Sequence, residues 1–416
     1  MARRHRGDGA LYQRANGLWV GSVDLGIGGD GKRRRKTVSS TDHATALRKL
    51  RALHAAIEAG TLPSDDRTTV GQWLGHWLET IAKPRIRPTT YASYAGTIAH
   101  HVTPHIGAYR LTQLSPAHVR TWHRAVLDAH PTGRGERNAQ LSHRILSRAL
   151  TDAQAEGIIL RNPAQLVSPP APKASTRGAL SAAHARLLLS TAEAGDDPML
   201  SRWAAALMLG ARQGELLGLT WDRVDLDRGL VDLAWQLQSV PQVHGCGGTC
   251  GHTRASACPQ RRFDTPPGYE STPLHASLCL TRPKSKAGTR VVPIIAPLAV
   301  ALEQHRMRAP ANEWNLVWTH NDRPIDRRAD HRRWQAALDA AGLPAVPLHS
   351  ARHSCATLLM EAGVDAHVVA AVLGHSDIVV TRQYQHVDHT LSRAGMTQAL
   401  SDLLSPAVLT VGANPS

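Results

Sequence analysis

The stretch from His349 to Tyr384 leaves little freedom of local structure. It reads H-S-A-R-H-S-C-A-T-L-L-M-E-A-G-V-D-A-H-V-V-A-A-V-L-G-H-S-D-I-V-V-T-R-Q-Y. After Pro347, the residues Ala351, Cys355, Leu358, Leu359 and Ala362 recur at helical spacing and give one apolar stripe. Gly363 stops that helix, and Asp365 is placed to cap the next. Gly374 stops the second helix at Leu373, so His375 falls on a tight turn. Ser376 or Asp377 can open a third helix that carries Tyr384. His349 and Arg352 are three residues apart and can point from one helix end toward one place. Two short helix-turn units can return His375 and Tyr384 to that place.

Two histidines, an arginine and a tyrosine near one point suit work on a phosphate. Arginine is a planar, permanently charged donor that fits phosphate oxygens. Tyrosine carries an oxygen able to attack phosphorus, although a pKa of about 10 makes it weak until a site helps it. Any one of these residues alone fits a helical subdomain with surface histidines. The ordered set H-x-x-R, L-G-H-S and T-R-Q-Y resembles the C-terminal half of the tyrosine recombinase (phage-type integrase) family.

Two upstream phrases extend the resemblance. A-R-Q-G-E-L-L-G-L-T-W-D, from Ala211 to Asp222, resembles the first family motif, with Arg212 as the phosphate-binding arginine and Glu215 as a structural acid supporting its loop. P-K-S-K-A-G-T-R-V-V-P-I resembles the family's lysine hairpin. Leu278–Arg282 and Thr289–Pro293 read as its two strands, with Lys284 as the better match and Lys286 as the runner-up. The resemblance therefore implies a site of Arg212, Lys284, His349, Arg352, His375 and Tyr384. It implies strand cutting and rejoining through a 3′-phosphotyrosine, without ATP or a catalytic cofactor, to integrate or excise a mobile element. The family partners that follow are double-stranded attachment sites, a homotetramer on DNA and an excision factor. A type IB topoisomerase and a non-catalytic DNA-binding regulator are the rival readings. The separate basic N-terminal unit and the C-terminal helix favour a recombinase over the former, and the full six-residue set argues against the latter.

Composition agrees with a polyanionic partner. The 416 residues carry a formal charge of +15, with histidine neutral. No apolar run approaches a membrane span, and no apolar segment follows the basic start Met1–Arg6, so a cytoplasmic protein is expected. The five cysteines, Cys246, Cys250, Cys258, Cys279 and Cys355, are odd in number and partly clustered, unlike a secreted disulfide framework.

The expected fold is mainly α with small β-sheets. Residues 1–62 read as a three-stranded sheet and a helix capped by Asp42, with Asn16-Gly17 as a hairpin turn. The run Lys32, Arg33, Arg34, Arg35 and Lys36 is its candidate DNA contact, and the unit resembles an integrase arm-binding domain. Residues 68–167 read as four helices, with one stripe formed by Val70, Trp73, Leu74, Trp77, Leu78 and Ile81. They resemble the family's core-binding (SAM-like) domain. A proline-rich linker leads to a catalytic domain over 179–390. Residues 391–416 read as a helix and a tail; in the family such a helix docks on a neighbouring protomer, and the alternative is a helix packed on its own domain.

The catalytic domain contains an unusual insertion at 240–277. It holds His244, Cys246, Cys250, His252 and Cys258 among glycines and polar residues. The spacing C-x3-C-x-H-x5-C names Cys246, Cys250, His252 and Cys258 as candidate ligands of a structural zinc. The alternative is a loop of reduced cysteines.

Overall fold

A computed structural model describes residues 10–27, 33–58, 67–130, 135–171, 178–283, 288–374 and 389–403. The chain divides into two compact units, Met1–Ala174 and Ser175–Ser416.

In the first unit, β1 (Ala10–Gln13), β2 (Trp19–Ile27) and β3 (Arg33–Ser40) form an antiparallel sheet in that order. Gly17, at φ +79°, supplies the left-handed residue that the β1–β2 turn needs. Helix α1 (His43–Glu58) starts where Asp42 Oδ2 accepts the Thr45 N–H at 2.7 Å, and its Ala46 and Leu50 are buried. Gly21 admits Leu50, because a Cβ there would stand 3.0 Å from Leu50 Cδ1. Of the basic run, Arg35 is exposed and Lys36 half-buried on β3, opposite Asp24 and Val23. Lys32 lies outside the described residues.

The helices that follow are α2 (Val70–His76), α3 (Pro88–Thr97), α4 (Thr103–Ile106), α5 (Pro116–Asp128) and α6 (Gly135–Ala155). Two wide π-helical turns were not legible in the sequence: Trp77–Ala82 after α2, and Ile98–Val102 after α3. Each leads into a proline, Pro84 or Pro104, whose missing N–H cannot continue the regular ladder. Val70, Trp73, Leu74, Trp77, Trp122, Val126, Ile145, Leu146 and Leu150 fill one core. The indoles are also anchored: Trp73 Nε1 donates to Ala149 O at 2.9 Å and Trp77 Nε1 to Asp152 Oδ2 at 2.6 Å.

Inside this bundle His123 Nε2 and His143 Nδ1 are 3.0 Å apart and both rings are buried. Burial, helped by the nearby His143, pushes His123 down to about 4, and burial also lowers His143. Both are therefore neutral when folded, whereas the unfolded chain protonates near the ordinary value of about 6.5. Stability should be full above that value and fall as pH drops toward 4, because only the unfolded state gains protons in that window. Unfolding of the full chain followed by tryptophan fluorescence should show this slope, and the pair His123→Gln with His143→Gln should flatten it.

The second unit is built on α7 (Ala182–Ala194), α8 (Leu200–Met208) and the short α9 (Gln213–Leu217). Strands β4 (Val224–Asp225), β5 (Leu230–Asp232) and β6 (Gln236–Ser239) follow. The insertion carries the hairpin of β7 (Gln242–Val243) and β8 (Arg262–Phe263), then β9 (Ser271–His275). Next come β10 (Leu278–Thr281), β11 (Val291–Pro293), α10 (Ala296–Arg308), and the two-residue strands β12 (Thr319–His320) and β13 (Arg323–Pro324). The last helices are α11 (Arg327–Ala340), α12 (His349–Glu361), α13 (Ala366–Leu373) and α14 (His389–Leu400).

The expected lysine hairpin is corrected here. β10 pairs with β6 and β9, while β11 pairs with β5. In register, Thr281 faces Gln236 and Val291 faces Asp232, so both strands run antiparallel to the single stretch 230–239. Thr281 and Val291 therefore lie on one strand line rather than on the two paired strands of a hairpin. Pro283 has no N–H for the ladder, and the apolar edges of Val231 and Leu237 each recruit their own partner.

The terminal helix packs on its own domain. Met396, Leu400 and Leu403 are buried in the same core as α12 and α13, and Arg393 donates to Ile294 O and Gly229 O. Its own domain offers that apolar face full burial. No described helix is long and apolar enough to cross a membrane.

Candidate active site

Two arginines converge on one buried carboxylate, and a third, Arg352, lies close enough to feel all three charges. Arg212 stands at the start of α9, where Glu215 Oε2 accepts its backbone N–H at 2.9 Å and Glu215 Oε1 accepts its Nη1 at 2.7 Å. Arg290 Nη2 donates to Glu215 Oε2 at 3.0 Å. Burial disfavours charge on Glu215, but Arg290 and Arg212 outweigh it and hold the carboxyl below the usual range. Glu215 is thus an anion that aims two guanidiniums.

Arg290 was not singled out by the sequence. Besides Glu215 it donates from Nε to Val372 O at 2.7 Å and from Nη1 to Gly288 O at 3.1 Å. It ties the approach to β11 to α9 and to the end of α13. Its signal was alternation: Arg290 and Val292 are turned inward while Val291 is 43% exposed.

Arg352 lies on the first turn of α12 and is 5% exposed. Its Nη1 donates to Gly210 O at 2.8 Å. Its Nη2 is buried and, among the described residues, has no hydrogen-bond partner. Burial, with Arg212 and Arg290 nearby, pushes Arg352 down to about 10. It still carries its charge at neutral pH. Three guanidiniums around one carboxylate leave an uncompensated positive field, and an incoming anion would relieve it. Beneath them Cys355, fully buried and pushed up to about 12 by burial, stays a neutral thiol.

The loop that joins these groups tolerates little change. Gly210 sits at φ +55°, and a Cβ there would lie 2.4 Å from Leu373 Cδ2 and 3.0 Å from Cys355 Sγ. Gly210→Ala should cost about 3 kcal/mol through overpacking and left-handed strain. Urea unfolding of the full chain checks this. Gln213 anchors the other side, donating to Asp330 Oδ2 at 2.9 Å beside the fully buried Arg202–Asp330 pair at 2.8 Å.

His349 is exposed at the head of α12, its ring edge-on to His353 at 4.8 Å. Arg212 Nη2 donates to Gly374 O at 3.0 Å, and Gly374 takes the left-handed conformation, φ +67°, that closes α13. Thus Arg212, Arg352 and the residue preceding His375 are brought together. Lys284, Lys286, His375, Tyr384 and the third helix expected after Gly374 lie outside the described residues.

A second cluster forms in the insertion. The ligand atoms of His244, Cys246, Cys250 and Cys258 all lie within 4.8 Å of one another, an arrangement that could hold a metal ion. The histidine that joins the thiols is His244, whereas His252 is exposed and outside the group. Sequence spacing pointed to His252 because it follows Cys250 closely. The β7–β8 pairing instead brings residue 244 round to the sulfurs.

Comparison with known proteins agrees with this architecture. A profile described as the phage integrase family matches residues 277–390, and one described as the phage integrase N-terminal SAM-like domain matches residues 69–127. An integrase of Saccharopolyspora erythraea is 29% identical over 414 residues, covering 92% of this chain and 94% of the relative. The Tn1549 transposon integrase in complex with a circular intermediate DNA superposes with a TM-score of 0.60 at 16% identity, over 80% of this chain and 99% of that one. A lambda integrase tetramer bound to a Holliday junction gives a TM-score of 0.53 at 16% identity, over 90% and 98%.

Proposed function

Because the chain belongs to the phage integrase family of tyrosine recombinases and is a site-specific DNA recombinase, we propose that Arg212 and Arg352 clamp a DNA phosphodiester while Tyr384 attacks it. The observation that carries this reading is the buried Nη2 of Arg352, without a hydrogen-bond partner among the described residues, beside the Arg212 guanidinium. Donors placed to meet growing negative charge at phosphorus stabilise the pentavalent transition state.

The remaining roles follow from the chemistry. The Tyr384 oxygen bonds to phosphorus as the bond to the 5′-oxygen breaks, leaving a 3′-phosphotyrosine and a 5′-hydroxyl. His349 takes or relays the phenol proton, and Lys284 gives a proton to the departing 5′-oxygen, with Lys286 as the alternative. His375 donates a hydrogen bond to the phosphate. Attack by a partner strand's 5′-hydroxyl reverses the step. The ester link conserves the bond energy, so neither ATP nor a catalytic metal is required.

The basic strand β3, with Arg35 on one face of the sheet and Lys36 on the other, would contact arm-type DNA, and the helical bundle would grip the core site. Four protomers on two duplexes, and a small excision factor, complete the proposed assembly. The Cys/His cluster takes no part in strand exchange; zinc there would be structural.

The test is incubation with DNA flanking the gene, using a nicked substrate and scoring covalent protein–DNA adduct, followed by two attachment-site duplexes scored for recombinant product. Adduct and recombinants are expected. Adduct with relaxation of supercoils but no recombinants would favour a topoisomerase, and binding without adduct would favour a regulator.

A further inference from the structure

We propose that the insertion between β6 and β10 is a zinc knuckle, with His244 Nδ1 and the sulfurs of Cys246, Cys250 and Cys258 as its four ligands. The distances suit one tetrahedral ion. His244 Nδ1 lies 3.3 Å from Cys250 Sγ and 3.9 Å from Cys246 Sγ. Zinc bound at about 2.3 Å to sulfur and about 2.1 Å to nitrogen places such ligand atoms about 3.6 Å apart. The cysteines are free thiols, so no disulfide accounts for the cluster.

The backbone is arranged for thiolates. Backbone N–H groups favour the thiolate forms: those of Cys250 and Gly248 act on Cys246, that of His252 on Cys250 and that of Gln260 on Cys258. Gly247 and Gly251, each directly after a ligand cysteine, have positive φ of +62° and +67°. A left-handed residue there turns the following N–H back toward the preceding side chain. Hydrogen bonds of this kind orient metal-bound ligands and offset their charge.

Electrostatics and folding agree. One zinc with three thiolates and a neutral imidazole carries a net negative charge. Between His244 and Arg262 the chain supplies Arg254, Arg261 and Arg262, all exposed, and no carboxylate. Cys258 is buried, yet the module offers little apolar surface: two two-residue strands and one short turn. Metal ligation would replace the missing core, as in other segments too small to fold by burial. Soft thiolates select zinc over magnesium or calcium.

The ligand set is tested on tag-free full-length protein, independently of recombination. Metal analysis should find about one zinc per chain, released by a thiol-titrating mercurial. Cobalt substitution should give thiolate charge-transfer absorption and the strong visible bands of a tetrahedral site. Cys250→Ser and His244→Ala should lose the metal, whereas His252→Ala should keep it. Chelation should speed tryptic cleavage after Arg254 and Arg261 by about tenfold, as the module opens. Less than about a tenth of an equivalent of zinc in the unmodified protein would overturn the proposal. So would zinc retained by both ligand variants, or loss in His252→Ala with retention in His244→Ala.

Discussion

Tyr384→Phe should bind attachment-site DNA and form no covalent adduct with it. The substitution deletes one oxygen and keeps the ring, so the helices and the three-arginine cluster have no reason to rearrange. DNA affinity rests on many phosphate contacts, and losing one hydroxyl should change it by no more than about fivefold. The proposed chemistry has no substitute nucleophile: water attack would release phosphate-ended DNA rather than a protein-linked strand. A nicked substrate that traps the covalent intermediate, read on a denaturing gel, decides the matter. Adduct from the variant in normal yield would move the nucleophile elsewhere.

Arg352→Lys should fold and bind DNA yet cleave about 100- to 1,000-fold more slowly in single turnover, the usual loss when one transition-state donor is removed. The guanidinium spans two tasks. Its Nη1 holds Gly210 O at 2.8 Å, while the buried Nη2 is left to meet an anion. A lysine has one ammonium and cannot occupy both positions with fork geometry. If it satisfies Gly210, the phosphate loses a donor; if it reaches the phosphate, a buried carbonyl loses its partner. A rate within threefold of the unmodified protein would show that Arg352 only braces the loop.

Much of this site could be read before any coordinates. The end of α12 before Gly363 and the Asp365 cap, whose carboxylate accepts the His367 N–H at 2.7 Å, follow from local rules. So does the left-handed Gly374. Arg212, Glu215 and Arg352 were named from motif order, because each sits at a helix start marked by its neighbours. The gaps are equally specific. Nothing near Arg290 says that it reaches Glu215, 75 residues away. Nothing near Lys284 says that β10 and β11 share one partner stretch instead of each other. His252 looked the better ligand because it is closer in sequence to two of the thiols, yet His244 has the position.

The sequence by itself determined where α12 and α13 begin and end, which unit is basic, and which residue types serve phosphate chemistry, since these depend on caps, periodicity and charge within a few residues. Only the tertiary structure decided which partner each strand takes, which buried arginine aims the carboxylate, which histidine meets the thiols, and that the last helix folds onto its own domain. Those choices depend on burial and pairing between segments tens of residues apart, where many arrangements satisfy the local rules and close packing selects one.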